Sequence, residues 1–271
     1  GYLVKTLREK GCDAWGLEIS EYAIQNSCDL EHVRLGDVRD IPFASGFDVI
    51  HSQGLWEYIP DNDVQKAITE CRRVGKFQEH NYDTIGCDNP PEHQKLPLHT
   101  TDWWLNQWYP KVLVACPNHE CKEYSFQEWI NCVKNLTYPN YEILVVDNSP
   151  SLDFINRWKD QIPMIHIKSD QSENPNIRIN QSMEVLRRKF IEENFVYWFN
   201  LESDVIVPSN ALDLLIIHQA DWVAHAYPNR GALGLIQGIG CSLFNRKIMQ
   251  ENSFEYASPA SGPDAWFWEK V

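Results

Sequence analysis

Glu202 and Asp204 close the apolar run Val196-Tyr-Trp-Phe199 and precede Pro208. Side chains two apart on a strand point the same way. This pair can therefore hold a hard divalent cation through oxygen, and that cation would neutralise phosphate. The alternative is a solvated turn. Asp147 ends a second apolar run, Glu142-Ile-Leu-Val-Val146, at a place where a nucleoside could dock. Asp264 stands among aromatics in Ser261-Gly-Pro-Asp-Ala-Trp-Phe-Trp268. Aromatic surroundings raise a carboxylate's proton affinity and stack on sugar rings, which suits a general base beside an acceptor hydroxyl. A helix N-cap is the competing reading.

Two further acids lie upstream, 19 residues apart: Glu18 and Asp37. Each ends a short apolar segment, and ligands of parallel sheets sit at the carboxyl ends of strands. Glu18 can accept both hydrogen bonds of a ribose diol, and Asp37 can receive an adenine amino group. Taken singly, each reads equally well as a helix cap or a solvated acid.

The elements that must position these acids alternate. Residues 2–10 have helical spacing and end at Gly11; 13–19 read as a strand and 20–26 as a helix capped by Ser20. Strands follow at 32–35 and 47–52, then a helix at 61–73. Residues 85–101 break the pattern with Pro90, Pro91 and Pro97, and the aromatic stretch Trp103, Trp104, Trp108 and Tyr109 predicts a short amphipathic helix between the halves. A second alternation starts at Lys111: strands at 112–116, 141–149, 164–167 and 195–205, and helices at 125–135 and 179–194. The prediction is an α/β protein of two Rossmann-like three-layer domains with parallel sheets, bounded at about residue 110.

Composition narrows the function classes. Net charge is −14, and both halves are acidic: 10 basic against 18 acidic groups over 1–110, and 14 against 20 over 111–271. That opposes nucleic-acid binding, which needs phosphates neutralised. No apolar run reaches the ~18–20 residues of a membrane span. The eight cysteines form no C-x-x-C pair, which predicts reduced, mostly buried thiols and a cytoplasmic protein. The chain starts at Gly1, its first methionine is Met164, and it stops just after an aromatic run, so it reads as a piece of a longer protein.

Gly1-Tyr-Leu-Val4, Trp15-Gly-Leu-Glu-Ile-Ser20, Gly36-Asp-Val-Arg-Asp-Ile-Pro-Phe43, Phe47-Asp-Val-Ile50 and Ile68-Thr-Glu-Cys-Arg-Arg-Val74 together resemble class I S-adenosylmethionine-dependent methyltransferases over about residues 1–80. The resemblance implies S-adenosylmethionine as cofactor, with Glu18 on the ribose, Asp37 on the adenine, Ile19 and Val38 beside them, and Gly1 as the last glycine of the loop around the methionine moiety. It also implies a gapped sheet, because the family's central first strand would precede Gly1. His51, Gln53 and Glu57 follow the strand at 47–52 and either face the methyl acceptor or are structural.

Val112-Leu-Val-Ala-Cys-Pro117, Glu142-Ile-Leu-Val-Val-Asp-Asn-Ser149, Arg178-Ile-Asn180, Glu202-Ser-Asp204, Gly240-Cys-Ser-Leu243 with Arg246, and Pro263-Asp264 resemble GT-A glycosyltransferases of the family 2 type over 111–271. This resemblance implies a nucleotide-sugar site with Pro117, Asp147, Arg178 and Glu202, and Mn²⁺ or Mg²⁺ on Asp204 with Glu202. Asp264 matches the general base of inverting members. Glu202 stands where the family's D-x-D has aspartate.

The expected organisation is a partial methyltransferase-like domain at 1–84, a loop and aromatic linker at 85–110, and a GT-A-like domain at 111–271. The expected function is metal-dependent, inverting transfer of a sugar from a nucleotide-sugar donor to a hydroxyl of a glycan or glycosylated acceptor. Two other readings stay open: a methyltransferase whose second half only binds carbohydrate, and a degenerate scaffold.

Overall fold

A computed structural model describes residues 1–82, 98–218, 220–228, 235–257 and 262–268. The chain divides into two compact units, Gly1–Trp108 and Tyr109–Val271.

In the first unit, helix α1 (Tyr2–Glu9) leads to strand β1 (Gly16–Glu18), helix α2 (Glu21–Gln25) and strand β2 (Val33–Leu35). Gly11 adopts φ +88° after α1, a left-handed turn that favours glycine. Ser20 caps α2 as its sequence predicts, its Oγ accepting the Ala23 N–H at 3.3 Å. Strand β3 (Phe47–Ser52), helix α3 (Asp61–Val74), strand β4 (Gly75–His80) and helix α4 (Thr101–Trp108) complete the unit. The α3 stripe Val64, Ala67, Ile68, Cys71 and Val74 is buried, at the spacing of one helical face. Strands pair in parallel as β1–β2 and β3–β4, in two separate two-stranded sheets among the described residues. The gapped sheet is therefore what the structure has. Leu35, Val49 and Phe77 are left exposed on these strands, and Ile19 just after β1.

The aromatic stretch is helical, and it packs on the first unit. Trp108 stacks on His80 at 4.5 Å and Trp104 on Tyr82 at 4.6 Å, with Trp56 edge-on to Trp104 and Trp108. His80 is held neutral here: its Nε2 faces the acceptor Gln78 Oε1 at 3.1 Å, and Nδ1 faces the Ser52 hydroxyl at 2.7 Å. Burial, aided by repulsion from His51, pushes His80 down to about 4 from its ordinary 6.5. A base with a depressed folded pKa contributes stability that is complete above 6.5 and lost as pH falls toward 4, because only the unfolded chain gains the proton there. Allowing for the half-exposed ring, the loss is about 1–2 kcal/mol. Urea midpoints of this unit's transition should fall over that window, and His80→Asn should flatten the fall.

The second unit has one six-stranded sheet, order β7-β6-β5-β8-β10-β9. Its strands are β5 (Val112–Asn118), β6 (Tyr141–Asp147), β7 (Met164–His166), β8 (Tyr197–Leu201), β9 (Trp222–Pro228) and β10 (Leu235–Asn245). The first four are parallel, while β10 runs antiparallel to both β8 and β9. Strand residues alternate between two cores. Val112, Val114, Cys116 and Phe199 face α5 (Glu123–Lys134), α6 (Asp153–Trp158) and α8 (Ala211–Ile216). Leu113, Ala115, Val146 and Trp198 face α7 (Pro175–Glu192), α9 (Arg246–Glu251) and α10 (Gly262–Trp268). Helices thus cover both faces, as a buried parallel sheet requires. The fold class is α/β, Rossmann-like in both units.

Two expectations need correction. The strand predicted over 195–205 ends at Leu201, where pairing with β10 stops at Cys241. Glu202 and Asp204 therefore lie on a turn, closed by the Val205 N–H on the Glu202 carbonyl at 2.9 Å, so strand alternation does not align them. The thiols, unpaired among the described cysteines, are less buried than expected: Cys12, Cys28 and Cys121 are exposed.

Candidate functional site

The site lies at the carboxyl ends of β5, β6 and β8. Strand β10 crosses beside the turn at 202–204: the Glu202 N–H donates to the Gly240 carbonyl at 2.9 Å. One residue before Gly240, the Ile239 N–H donates to Asp264 Oδ1 at 3.0 Å. Adjacent residues of one strand thus hold the 202–204 turn and the first turn of α10. Trp266 and Phe267 turn into the core, which leaves Asp264 exposed rather than ringed by aromatics.

Burial pushes Glu202 up to about 7, with Asp264 and then Asp204 adding repulsion and Lys122 opposing it. A Cβ at Gly240 would stand 3.0 Å from Glu202 Cδ and 3.1 Å from Oε1. Gly240→Ala should displace that carboxyl and cost about 1–3 kcal/mol of stability. Thermal unfolding checks the cost, and an unchanged melting temperature would mean that Glu202 moves aside freely.

Asp204 is 23% exposed on its side chain and forms an ion pair with Lys122. The Tyr124 hydroxyl donates to the same oxygen, Oδ2, at 3.2 Å. Although burial opposes its charge, Lys122 is held above the ordinary lysine range by Asp204. Lys122 closes a 3-10 turn, Glu120–Lys122, and is the N-cap of α5. Ser125 Oγ donates to the Ser203 carbonyl at 2.9 Å, and Ser203 Oγ to Asn118 Oδ1 at 2.7 Å, so β5, α5 and the acidic turn are knit together.

Other expected site residues are engaged otherwise. Asp147 is fully buried, accepting from Ser149 Oγ at 2.5 Å and paired with His166 Nδ1 at 2.9 Å. Arg178 donates to the carbonyl of Gln171 at 2.8 Å, bracing the loop before α7. Pro117 lies in β5, half-buried. In the first unit, Glu18 Oε1 accepts the Ser20 N–H at 2.9 Å. Both Asp37 oxygens accept from Arg39, at 2.6–3.1 Å, which holds its carboxyl below the usual range. Ile19 is exposed, Val38 buried, and Gly1 is the N-cap of α1. His51 lies 3.4 Å from Glu79, and Glu57 is buried.

The residues missed from the sequence are Lys122 and Tyr124. Lys122 and Asp204 are 82 residues apart, so only the fold joins them. The available signal was a lysine opening the helix after the second unit's first strand.

A family model described as a methyltransferase domain matches residues 1–78. That is the first unit alone. No curated protein matches the chain. Solved structures similar to it include S. aureus TarS 1-349 in complex with UDP, at 14% identity and TM-score 0.41, over 58% of this chain and 52% of that one. Another is the mannosyltransferase PcManGT from Pyrobaculum calidifontis in complex with GDP-Man and Mn²⁺, at 14% identity and TM-score 0.37, over 52% and 46%. A third is a 4-diphosphocytidyl-2C-methyl-D-erythritol synthase, at 13% identity and TM-score 0.41, over 59% and 85%. The chain spans about half the length of TarS 1-349. The methyltransferase resemblance of the first unit recurs in that family model. No described helix is long and apolar enough to cross a membrane.

Proposed function

We propose that the second unit transfers a sugar from a nucleotide-sugar donor to a hydroxyl of a glycan or glycosylated acceptor, with inversion at the anomeric carbon. The observation that carries this is that Glu202, in the turn that also carries Asp204, and Asp264 are held by adjacent residues of β10, Gly240 and Ile239, beside the carboxyl ends of the parallel strands. Nucleotides bind at such strand ends. The acceptor hydroxyl attacks the anomeric carbon in one displacement, and Asp264 takes its proton. With Oδ1 fixed by the Ile239 N–H, Oδ2 is left as the base. Of the residues expected to receive the nucleoside, Pro117 and Arg178 stay part-exposed and belong to its wall in this reading, whereas Asp147 is sealed behind it by Ser149 and His166.

The donor set does not fit the divalent cation that the sequence implies. Asp204 Oδ2 is already taken by Lys122 and Tyr124, and no described group of three or more His, Cys, Asp or Glu side chains is arranged to hold a metal ion. No step is routed through a metal. S-adenosylmethionine fits the first unit no better: Glu18 keeps an oxygen for a ribose, but Arg39 occupies both oxygens of Asp37.

Thermal unfolding in the presence of UDP, GDP, CDP and ADP tests the reading, each with and without Mn²⁺. A rise in melting temperature with one or two of them is expected by mass action. Absence of any rise, together with no release of nucleoside diphosphate from the matching nucleotide sugars, would overturn it.

A further inference from the structure

We infer that Lys122 is the fixed cation of the donor site, its ammonium standing where a divalent ion would bind and facing the diphosphate of a nucleotide-sugar donor. This rests on the glycosyl-transfer reading and goes beyond it by naming the group that meets the leaving charge.

Four observations place Lys122 in this role. Its ammonium is bonded to Asp204, the acid on which the sequence would seat a metal. Tyr124 donates to the same Asp204 oxygen, so ammonium and hydroxyl together occupy Oδ2. Lys122 is the N-cap of the 12-residue helix α5, whose first turn carries the partial positive end of the helix dipole. Finally, Ser125 and Ser203 bind the backbone of this corner to the acidic turn, which holds the lysine stem in place without a metal. A lysine ammonium on a carboxylate is a compact point charge able to meet phosphate oxygens as they gain charge. Preorganised charge of this kind needs no rearrangement during the reaction. As the bond between the anomeric carbon and the phosphate oxygen breaks, its electron pair moves onto the diphosphate, and Lys122 remains protonated throughout as its counter-charge. The acceptor proton goes to Asp264.

The test is calorimetric titration of the full chain with UDP, GDP, CDP and ADP, first after dialysis against EDTA and then with Mn²⁺ added. Release of diphosphate from the matching nucleotide sugar is followed in parallel. Binding and turnover in EDTA are expected, with Mn²⁺ changing neither by more than about twofold. Lys122→Met should weaken nucleotide binding on the order of 10- to 100-fold, the range for a lost charge-assisted hydrogen bond. Freed from its partner, Asp204 should then accept Mn²⁺, so the variant's binding should become metal-dependent. Lys122→Arg, which keeps the charge, should retain metal-independent binding. A merely structural lysine would weaken binding without creating that dependence. Wild-type binding that appears only with Mn²⁺ would overturn the inference and leave the transferase reading standing. Binding of none of UDP, GDP, CDP and ADP under either condition would remove both. A Lys122→Met protein that binds as wild type in EDTA would overturn the inference alone.

Discussion

Asp264→Asn is expected to lower sugar transfer by about 10²- to 10⁴-fold, the usual contribution of a positioned general base. The substitution keeps the side chain's shape and its acceptor oxygen. The Ile239 N–H can therefore still be received, and α10 should stay docked on β10. What is lost is basicity at the remaining atom. Nucleoside diphosphate affinity should change little, since Asp264 is assigned to the acceptor rather than to the leaving group. Kinetically, kcat and kcat/KM should fall together, the pattern of an interaction made in the transition state. The measurement is nucleotide-sugar turnover beside calorimetric UDP and GDP binding. Transfer that survives in the variant would remove Asp264 as the base.

Glu184→Ala is expected to produce the largest loss of stability, about 3–5 kcal/mol, as for the loss of one partner of a buried ion pair. Glu184 is 5% exposed. Its carboxylate accepts from Arg187 at 2.8 and 2.9 Å, from Arg188 at 3.2 Å, from Ser253 Oγ at 3.0 Å and from the Phe254 N–H at 3.1 Å. It thereby ties α7 to the turn that seats Phe254 in the core. Truncation leaves the half-enclosed Arg187 guanidinium without a counter-charge. Burial works to raise the Glu184 pKa, but Arg187, Ser253 and Arg188 outweigh it and hold the carboxyl below its ordinary 4.5. For a depressed carboxylate the sign is fixed: its stabilisation is complete above the unfolded value near 4.5 and is lost as pH falls through the lower folded value. Urea unfolding of the variant at neutral pH measures the cost. A loss under about 1 kcal/mol would show that water replaces the network.

The long β-branched strands and amphipathic helices of the second unit were legible because their periodicity is local. Helix α7 begins earlier than the apolar pattern alone indicates, since Asn174 caps it and Pro175 takes its first position. The segment from 206 onward carries no local pattern that defines a strand or helix, although it offers Gly240, Arg246 and Asp264 as site residues. Its two antiparallel strands change register between Gln237 and Ser242, and its helices α8, α9 and α10 run six or seven residues each, too short for a periodic signal. In the site, acid types and positions could be named from sequence, but their partners could not. The Asp37–Arg39 clasp sat in plain view at two residues' spacing. The pairs Asp147 with His166 and Lys122 with Asp204 depend on strands and helices meeting across the fold. The turn at Glu202 was hidden for a different reason: strand length depends on where a partner strand stops, and β10 was itself unread.

The anomeric configuration of the first sugar released from an α-linked nucleotide-sugar donor tests the central claim most directly. Proton NMR of the wild-type reaction, recorded before mutarotation and with water as acceptor if no glycan is supplied, reads it. Single displacement with Asp264 as base gives the β product. An α product, or none from any nucleotide sugar, would contradict the account.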